Sequence, residues 1–211
     1  MLHRYDFNND TASDSIGGCA YQGTLEAGAV VDGGQVHMTA DGITGGYVNI
    51  PSNVFEGYNS ISIEVWFTTG YNTGWARIFQ YGSPDDNLNS IVLCRYVDDG
   101  YLIFVYVPQD NSAWNIISTP FLFNDLTDCY AVVTVAEGSF AQLYINGTLV
   151  ATTFTAINPF PNANVFFIGK SLNDADMAFN GSVNEFRVWG GILPQKNITE
   201  NFLAGPSKSI G

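Results

Sequence analysis

Ala141-Gln142-Leu143-Tyr144-Ile145-Asn146-Gly147-Thr148-Leu149-Val150-Ala151-Thr152 sets an Asn-Gly pair between two runs of strand formers. Asn-Gly is the preferred centre of a type I′ turn, because both residues tolerate positive φ, and that turn joins adjacent antiparallel strands. The stretch therefore predicts a β-hairpin. Upstream, Ile61-Ser62-Ile63-Glu64-Val65-Trp66-Phe67 alternates with period two. Its odd positions are apolar and its even ones are Ser, Glu and Trp, the pattern of a half-buried strand with a second face of functional character. A second hairpin is predicted where Asp99-Gly100 separates 91–98 from 101–107.

A two-residue loop there would set Val97 opposite Leu102, Arg95 opposite Phe104 and Leu93 opposite Tyr106. On that register Val92, Cys94, Ile103, Val105 and Val107 read as the core face. Arg95, Phe104 and Tyr106 read as a mixed face suited to the floor of a groove. Further strands are expected at 130–136, 164–169 and 183–189; in the last, Phe186 and Val188 point one way and Glu185 and Arg187 the other, placed to pair. The one helical segment is 194–203, where Pro194 suits a helix start, Ile198 and Phe202 lie four apart, and Gly205-Pro206 closes it. The chain carries no internal repeat, low-complexity tract or linker, so all 211 residues are expected to form one domain.

Composition agrees with an all-β reading. Gly is frequent (22 residues) and charged residues are scarce (13%), as many short strands joined by tight turns require, while 46% hydrophobic residues suffice for one large core. The net charge of −13, with seven Lys and Arg, argues against nucleic acid and anionic membrane surfaces, both of which call for a basic patch. No run approaches the roughly 18 apolar residues of a membrane span. The start Met1-Leu2-His3-Arg4-Tyr5 has no apolar signal core, and the chain is read as a domain excised from a longer secreted or surface-displayed protein, extracellular in location. Cys19, Cys94 and Cys129 are odd in number and share no metal-ligand spacing, so they are read as reduced; one disulfide would leave three pairings open. The sequons at Asn9, Asn146, Asn180 and Asn197 bear on the protein only if a eukaryotic secretory pathway makes it.

Four stretches, in order, resemble the laminin-G-like branch of the concanavalin A-like lectin/glucanase superfamily. They are 5–18 (Tyr5-Asp6-Phe7 to Gly17-Gly18), 60–67, Thr134-Val135-Ala136-Glu137-Gly138 with Leu143 to Gly147, and 179–189 followed by the short helix. The resemblance implies a two-sheet antiparallel jelly-roll sandwich with a concave sheet, recognition of glycans or proteins, and often a structural calcium. On the family's pattern the calcium positions match Asp14 and Asn184, the second being Asp in most relatives. Calcium prefers six to eight oxygen ligands, so a neutral Asn there weakens the site.

Glucanases of the superfamily carry Glu-x-Asp-x-(x-)Glu, whose carboxylates flank the sugar bond as nucleophile and acid/base. No Glu-x-Asp occurs in this chain, and Glu64 is followed by Val65 and Trp66. Neither His3 nor His37 has a nucleophile motif beside it. The pairs Gly17-Gly18, Gly33-Gly34 and Gly45-Gly46 are separate turn signals, not a phosphate-cradling loop. For sugar binding the chemistry calls for an aromatic plate against the sugar's C–H face and polar groups for its hydroxyls. Trp66, Trp75, Tyr106 and Trp114, with Arg95, are the candidates, expected on the concave face; Asp85-Asp86 and Asp98-Asp99 read as solvated turn acids. The leading expectation is a non-catalytic carbohydrate-binding module whose partners are polysaccharides or glycoconjugates. A structural or adhesive protein–protein module of a virion or cell surface is the alternative, and a glycoside hydrolase or lyase of the same fold the third.

Overall fold

The computed structural model describes residues 1–211 except 73, 85–89, 97–99, 109–113, 121–125, 155–163 and 209–211. In chain order the first strands are β1 (His3–Tyr5), β2 (Thr24–Glu26), β3 (Val30–Asp32), β4 (Gln35–Met38), β5 (Ala40–Asp41), β6 (Thr44–Gly45) and β7 (Tyr47–Ile50). There follow β8 (Ile61–Thr69), β9 (Arg77–Gly82), β10 (Ser90–Arg95), β11 (Leu102–Val107) and β12 (Asn115–Ser118). The last are β13 (Asp128–Ala136), β14 (Phe140–Ile145), β15 (Thr148–Thr153), β16 (Val165–Ile168), β17 (Gly181–Gly190) and the helix α1 (Gln195–Ala204).

Apart from the two-stranded ribbon of β5 and β6, the strands form two antiparallel sheets. One has eight strands, ordered β15-β14-β13-β8-β17-β4-β3 with β1 also on β17; the other has seven, ordered β12-β11-β10-β9-β16-β7-β2. Non-sequential neighbours such as β8 and β17 make this a jelly roll rather than a meander. A core of Ile61, Ile63, Val65 and Phe67 from one sheet and Phe79, Tyr81, Phe104 and Phe166 from the other fills the space between them. No helix among the described residues is long and apolar enough to cross a membrane.

The first hairpin forms as the sequence predicts: Asn146 and Gly147 have φ of 48° and 79°, and Ile145 faces Thr148. The helix lies where expected, with Pro194 as its N-cap, its own backbone extended, rather than as its first helical residue. Cys19, Cys94 and Cys129 are all free thiols; Cys94 and Cys129 are buried, and burial pushes the Cys94 thiol up to about 11.

Two expectations are corrected. In the second hairpin Arg95 faces Leu102 and Leu93 faces Phe104, and Tyr96 N donates to Tyr101 O at 2.8 Å. The register is thus two residues away from that of an Asp99-Gly100 two-residue turn; Val97, Asp98 and Asp99 lie outside the described residues. A shift of two keeps every side chain on its face, because the side-chain period of a strand is two. The faces themselves are reversed: Ile91, Leu93, Phe104 and Tyr106 enter the inter-sheet core, and Val92, Cys94, Ile103, Val105 and Val107 form an outer cluster. Both sets are apolar enough for a core. The bulkier rings face inward, where sheets packed roughly 10 Å apart need large side chains to fill the gap. The second correction is β8, buried on both faces instead of one.

Candidate functional site

On the outer face of the seven-stranded sheet, cross-strand partners make one row: Asn49, Phe167, Gln80, Val92, Val105 and Ile116. Gln80 is the polar break in its middle. Around it lies a hollow of about 260 Å³, walled by Trp75, Trp114, Arg77, Ser90 and Asp176 over a floor of Val92, Val105 and Val107. A second hollow of about 300 Å³, lined by Tyr47, Lys170 and Asp174, shares Asn173 and Asp176 with the first, so the 171–176 loop forms the divide between them.

Trp75 has φ of 64°, a left-handed backbone rare for an aromatic residue. Arg77 holds it there. Its Nη1 donates to Trp75 O at 2.9 Å, and the guanidinium carbon sits 5.2 Å from the centre of the Trp75 ring. The same guanidinium donates from Nη2 to Asp176 Oδ2 at 2.7 Å and from Nε to Gln80 Oε1 at 3.3 Å. Asp176 also accepts from Ser171 Oγ at 2.8 Å. The Trp75 ring meets Trp114 edge-on, centroids 6.1 Å apart, and Tyr96 at 5.1 Å. Trp114 is about half exposed at 48%. Strained backbone held by charge-assisted bonds concentrates at sites that must be pre-organised. The result is a fixed aromatic wall over an apolar floor, with Gln80, Arg77 and Asp176 as its polar groups.

Of the five predicted sugar-binding residues, the structure brings Trp75 and Trp114 together here and sends the others elsewhere. Trp66 is on the opposite sheet, buried beneath Leu193 and Ile198, with the Arg187 guanidinium 4.4 Å from its ring. Tyr106 belongs to the inter-sheet core, and Arg95, in register with Ile91 and Leu93 at the end of β10, shares that inward series. Arg77, Gln80, Asn173 and Asp176 were missed. The available signal was Arg77-Ile78-Phe79-Gln80, two polar residues inside an otherwise apolar strand.

Asp14 Oδ1 accepts backbone N–H groups from Arg4, Ile16 and Gly17 at 3.0, 3.0 and 2.8 Å, and Oδ2 bonds to His3 Nδ1. Burial raises this carboxyl, but the His3 and backbone donors outweigh it and hold it below the ordinary Asp value. Asn184 is the extra residue of a bulge in β17, between Val183 and Glu185, and lines a hollow beside Trp66 and Phe202. Three donors meet Asp14 Oδ1 and His3 meets Oδ2, so a calcium ion would have to displace a donor to bind there, and among the described residues no three His, Cys, Asp or Glu side chains converge.

Glu64, which lacks the glucanase motif around it, is fully buried and bonded to the helix residue Asn201. It accepts from Tyr130 Oη, Trp189 Nε1 and, at 2.7 Å, Asn201 Nδ2. Burial pushes its carboxyl up, against these donors and Arg187. As expected, Glu185 and Arg187 share a face and pair; Arg4 Nε adds a bond to Glu185 at 2.8 Å.

A family model described as the concanavalin A-like lectin/glucanases superfamily, of laminin-G type, matches residues 41–199. The chain belongs to this superfamily. Its laminin-G-like fold recurs in solved structures of low identity. Domain 4 of AbnA, an extracellular arabinanase of Geobacillus stearothermophilus solved with arabinotriose, is 20% identical at a TM-score of 0.75, over 94% of this chain and 96% of that one. A botulinum neurotoxin type C structure, described by its dependence on two ganglioside molecules for cell entry, is 16% identical at 0.73, over 97% of this chain and 50% of that one. The binding domain of botulinum neurotoxin serotype D/C is 17% identical at 0.75, over 96% and 51%. The laminin-G-like chain thus spans about half the length of the neurotoxin chains. A search of curated protein sequences gives no match.

Proposed function

We propose that this laminin-G-like domain is a non-catalytic carbohydrate-binding module, part of a secreted or surface-displayed protein, and that its site is the Trp75–Trp114 hollow. The observation that carries the reading is the pre-organised Trp75 wall set against polar groups on one sheet face. A sugar presents a C–H face that packs on an indole and hydroxyls that pair with amides and carboxylates. The superfamily neighbours solved with arabinotriose or described by ganglioside interaction lend support. Against catalysis, Asp176 is the single carboxylate among the described residues lining this hollow, and it is tied to Arg77. Glycoside hydrolysis needs two carboxyl groups across the sugar bond.

Binding in so open a hollow is expected to be weak, with Kd near ~1 mM, because little surface is buried and hydroxyls must be desolvated. Calorimetric titration with an oligosaccharide panel should give saturable binding in the native protein and none in Trp114→Ala, with melting checked in parallel. Binding that survives in Trp114→Ala would move the site elsewhere. Failure of every glycan would leave the structural or adhesive module.

A further inference from the structure

We propose that this hollow selects neutral sugars over acidic ones, with the Gln80 side-chain amide as its donor to a sugar oxygen. The inference rests on the carbohydrate reading above and adds the chemical class of ligand to it. Gln80 is fully buried, and its two side-chain atoms differ sharply in how they are met. Oε1 accepts from Arg77 Nε at 3.3 Å and from Leu172 N at 3.0 Å. Nε2 is buried with no hydrogen-bond partner among the described residues. Turning the amide over would set its NH2 group against those two donors, so the bonds to Oε1 fix the orientation. A buried, unpaired donor costs free energy until an acceptor reaches it. Gln80 lines the hollow together with Trp75 and Trp114, where a sugar hydroxyl or ring oxygen is an acceptor of the right kind.

An amide N–H would donate to a carboxylate too, so the choice between neutral and acidic sugars falls to charge. Arg77 is the one cation among the described residues lining the hollow, and it is already matched. Its three nitrogens go to Gln80 Oε1, Trp75 O and Asp176 Oδ2. The Arg77–Asp176 pair is nearly neutral, so an incoming carboxylate finds no net positive charge there. In the adjoining hollow Lys170 stands over the Tyr47 ring at 4.6 Å, with Asp174 lining the same hollow to offset it. The whole chain carries −13. A uronate or sialate would give up hydration and meet an overall repulsive field.

The test uses the full chain on an immobilised array of neutral, uronic and sialylated oligosaccharides, followed by titration of the best neutral binder and its uronic counterpart. The expected result is binding confined to neutral glycans. Gln80→Glu, which keeps the shape and removes the donor, should weaken the neutral binder by about tenfold or more, the worth of one hydrogen bond left unmade. Should Gln80→Glu not fold, Asp176→Asn serves in its place: freeing the Arg77 charge should shift the ratio of affinities towards the uronic sugar. Acidic glycans bound as well as neutral ones, a folded Gln80→Glu that binds unchanged, or an Asp176→Asn ratio that does not move overturns the proposal. If acidic binding is lost in Trp114→Ala, selectivity is wrong and the site stands. If nothing on the array binds, site and selectivity fall together.

Discussion

The two outward faces of this sandwich are built from similar alternating strands and have opposite fates. On the eight-stranded sheet, Trp66, Tyr130, Val132 and Tyr144 are covered by Leu193 and Ile198, and Phe202 stacks on Tyr130 with the rings 15° from parallel. The polar groups of that face turn to one another: Glu64 accepts three donors, and Arg187 reaches Glu185 and the carbonyl of Pro206 at 2.9 Å. On the seven-stranded sheet Trp75 and Trp114 stay open, and Gln80 retains an unmatched donor. A tryptophan beside a sheet face therefore takes its role from what covers it. A face sealed by a helix is structural, and a face left uncovered can receive a ligand.

That contrast can be broken most directly at Arg187, which is fully buried between two carboxylates. Arg187→Ala leaves Glu185 and Glu64 without their buried counter-charge and should cost about 3–5 kcal/mol in denaturant unfolding, or prevent folding. A loss of under about 1 kcal/mol would mean that the covered face is not held by its ion pairs. The tryptophans sharpen the same point. Trp66→Ala should destabilise by about 3–5 kcal/mol and leave glycan titration unchanged in whatever protein folds. Trp114→Ala should do the reverse, abolishing binding at a stability cost of at most about 1 kcal/mol, because the ring is half exposed.

The helix seat is tested at Gly147. Its φ is 79°, and an added Cβ would come 3.3 Å from Phe202 and Thr199 of the helix. Gly147 O also accepts from Thr199 Oγ1 at 3.0 Å. Gly147→Val should cost about 1 kcal/mol or more in thermal unfolding, since a β-branched residue resists that backbone region. A neutral effect would show that the hairpin tip does not seat the helix.

Smaller effects come from two carboxyls shifted in opposite directions. Asp14 sits below its ordinary value, so its stabilisation is present above the unfolded-state pKa of 3.8 and is lost as pH falls through the folded value. Asp14→Asn should flatten the acid limb of a melting-temperature profile. Glu64 sits above its ordinary value, so its contribution is full below 4.5 and fades as pH rises through the folded value. Glu64→Gln should flatten the opposite limb. Exchanged or absent slopes would show that other groups dominate. The smallest expected effect is none: chelation of calcium should leave the melting temperature unchanged, and a fall would mean that Asp14 gives up its donors to a cation.

Much of the sandwich is legible in the residues, because the causes are local. Asn146-Gly147 forms its turn since both residues accept positive φ, and the alternation of 61–67 fixes which side chains share a face, whatever lies above them. The pairing of Glu185 with Arg187 follows from the same period of two. Parity does not say which face points inward, and for β10 and β11 both faces are apolar. There the choice fell to Phe104 and Tyr106, whose bulk fills the gap between the sheets, so the residues read as a groove floor became core. The covering of Trp66 also depends on a helix more than 120 residues later in the chain. The site itself joins Trp75, Arg77 and Gln80 to Asp176 and Trp114, positions far apart in sequence that only the packing of β9 against its neighbours and the 171–176 loop bring within bonding distance. The sequence by itself determined the turns, the alternation and the family pattern, each set within a few consecutive residues. Only the tertiary structure decided inside from outside and which tryptophans remain open, because burial depends on what distant segments cover.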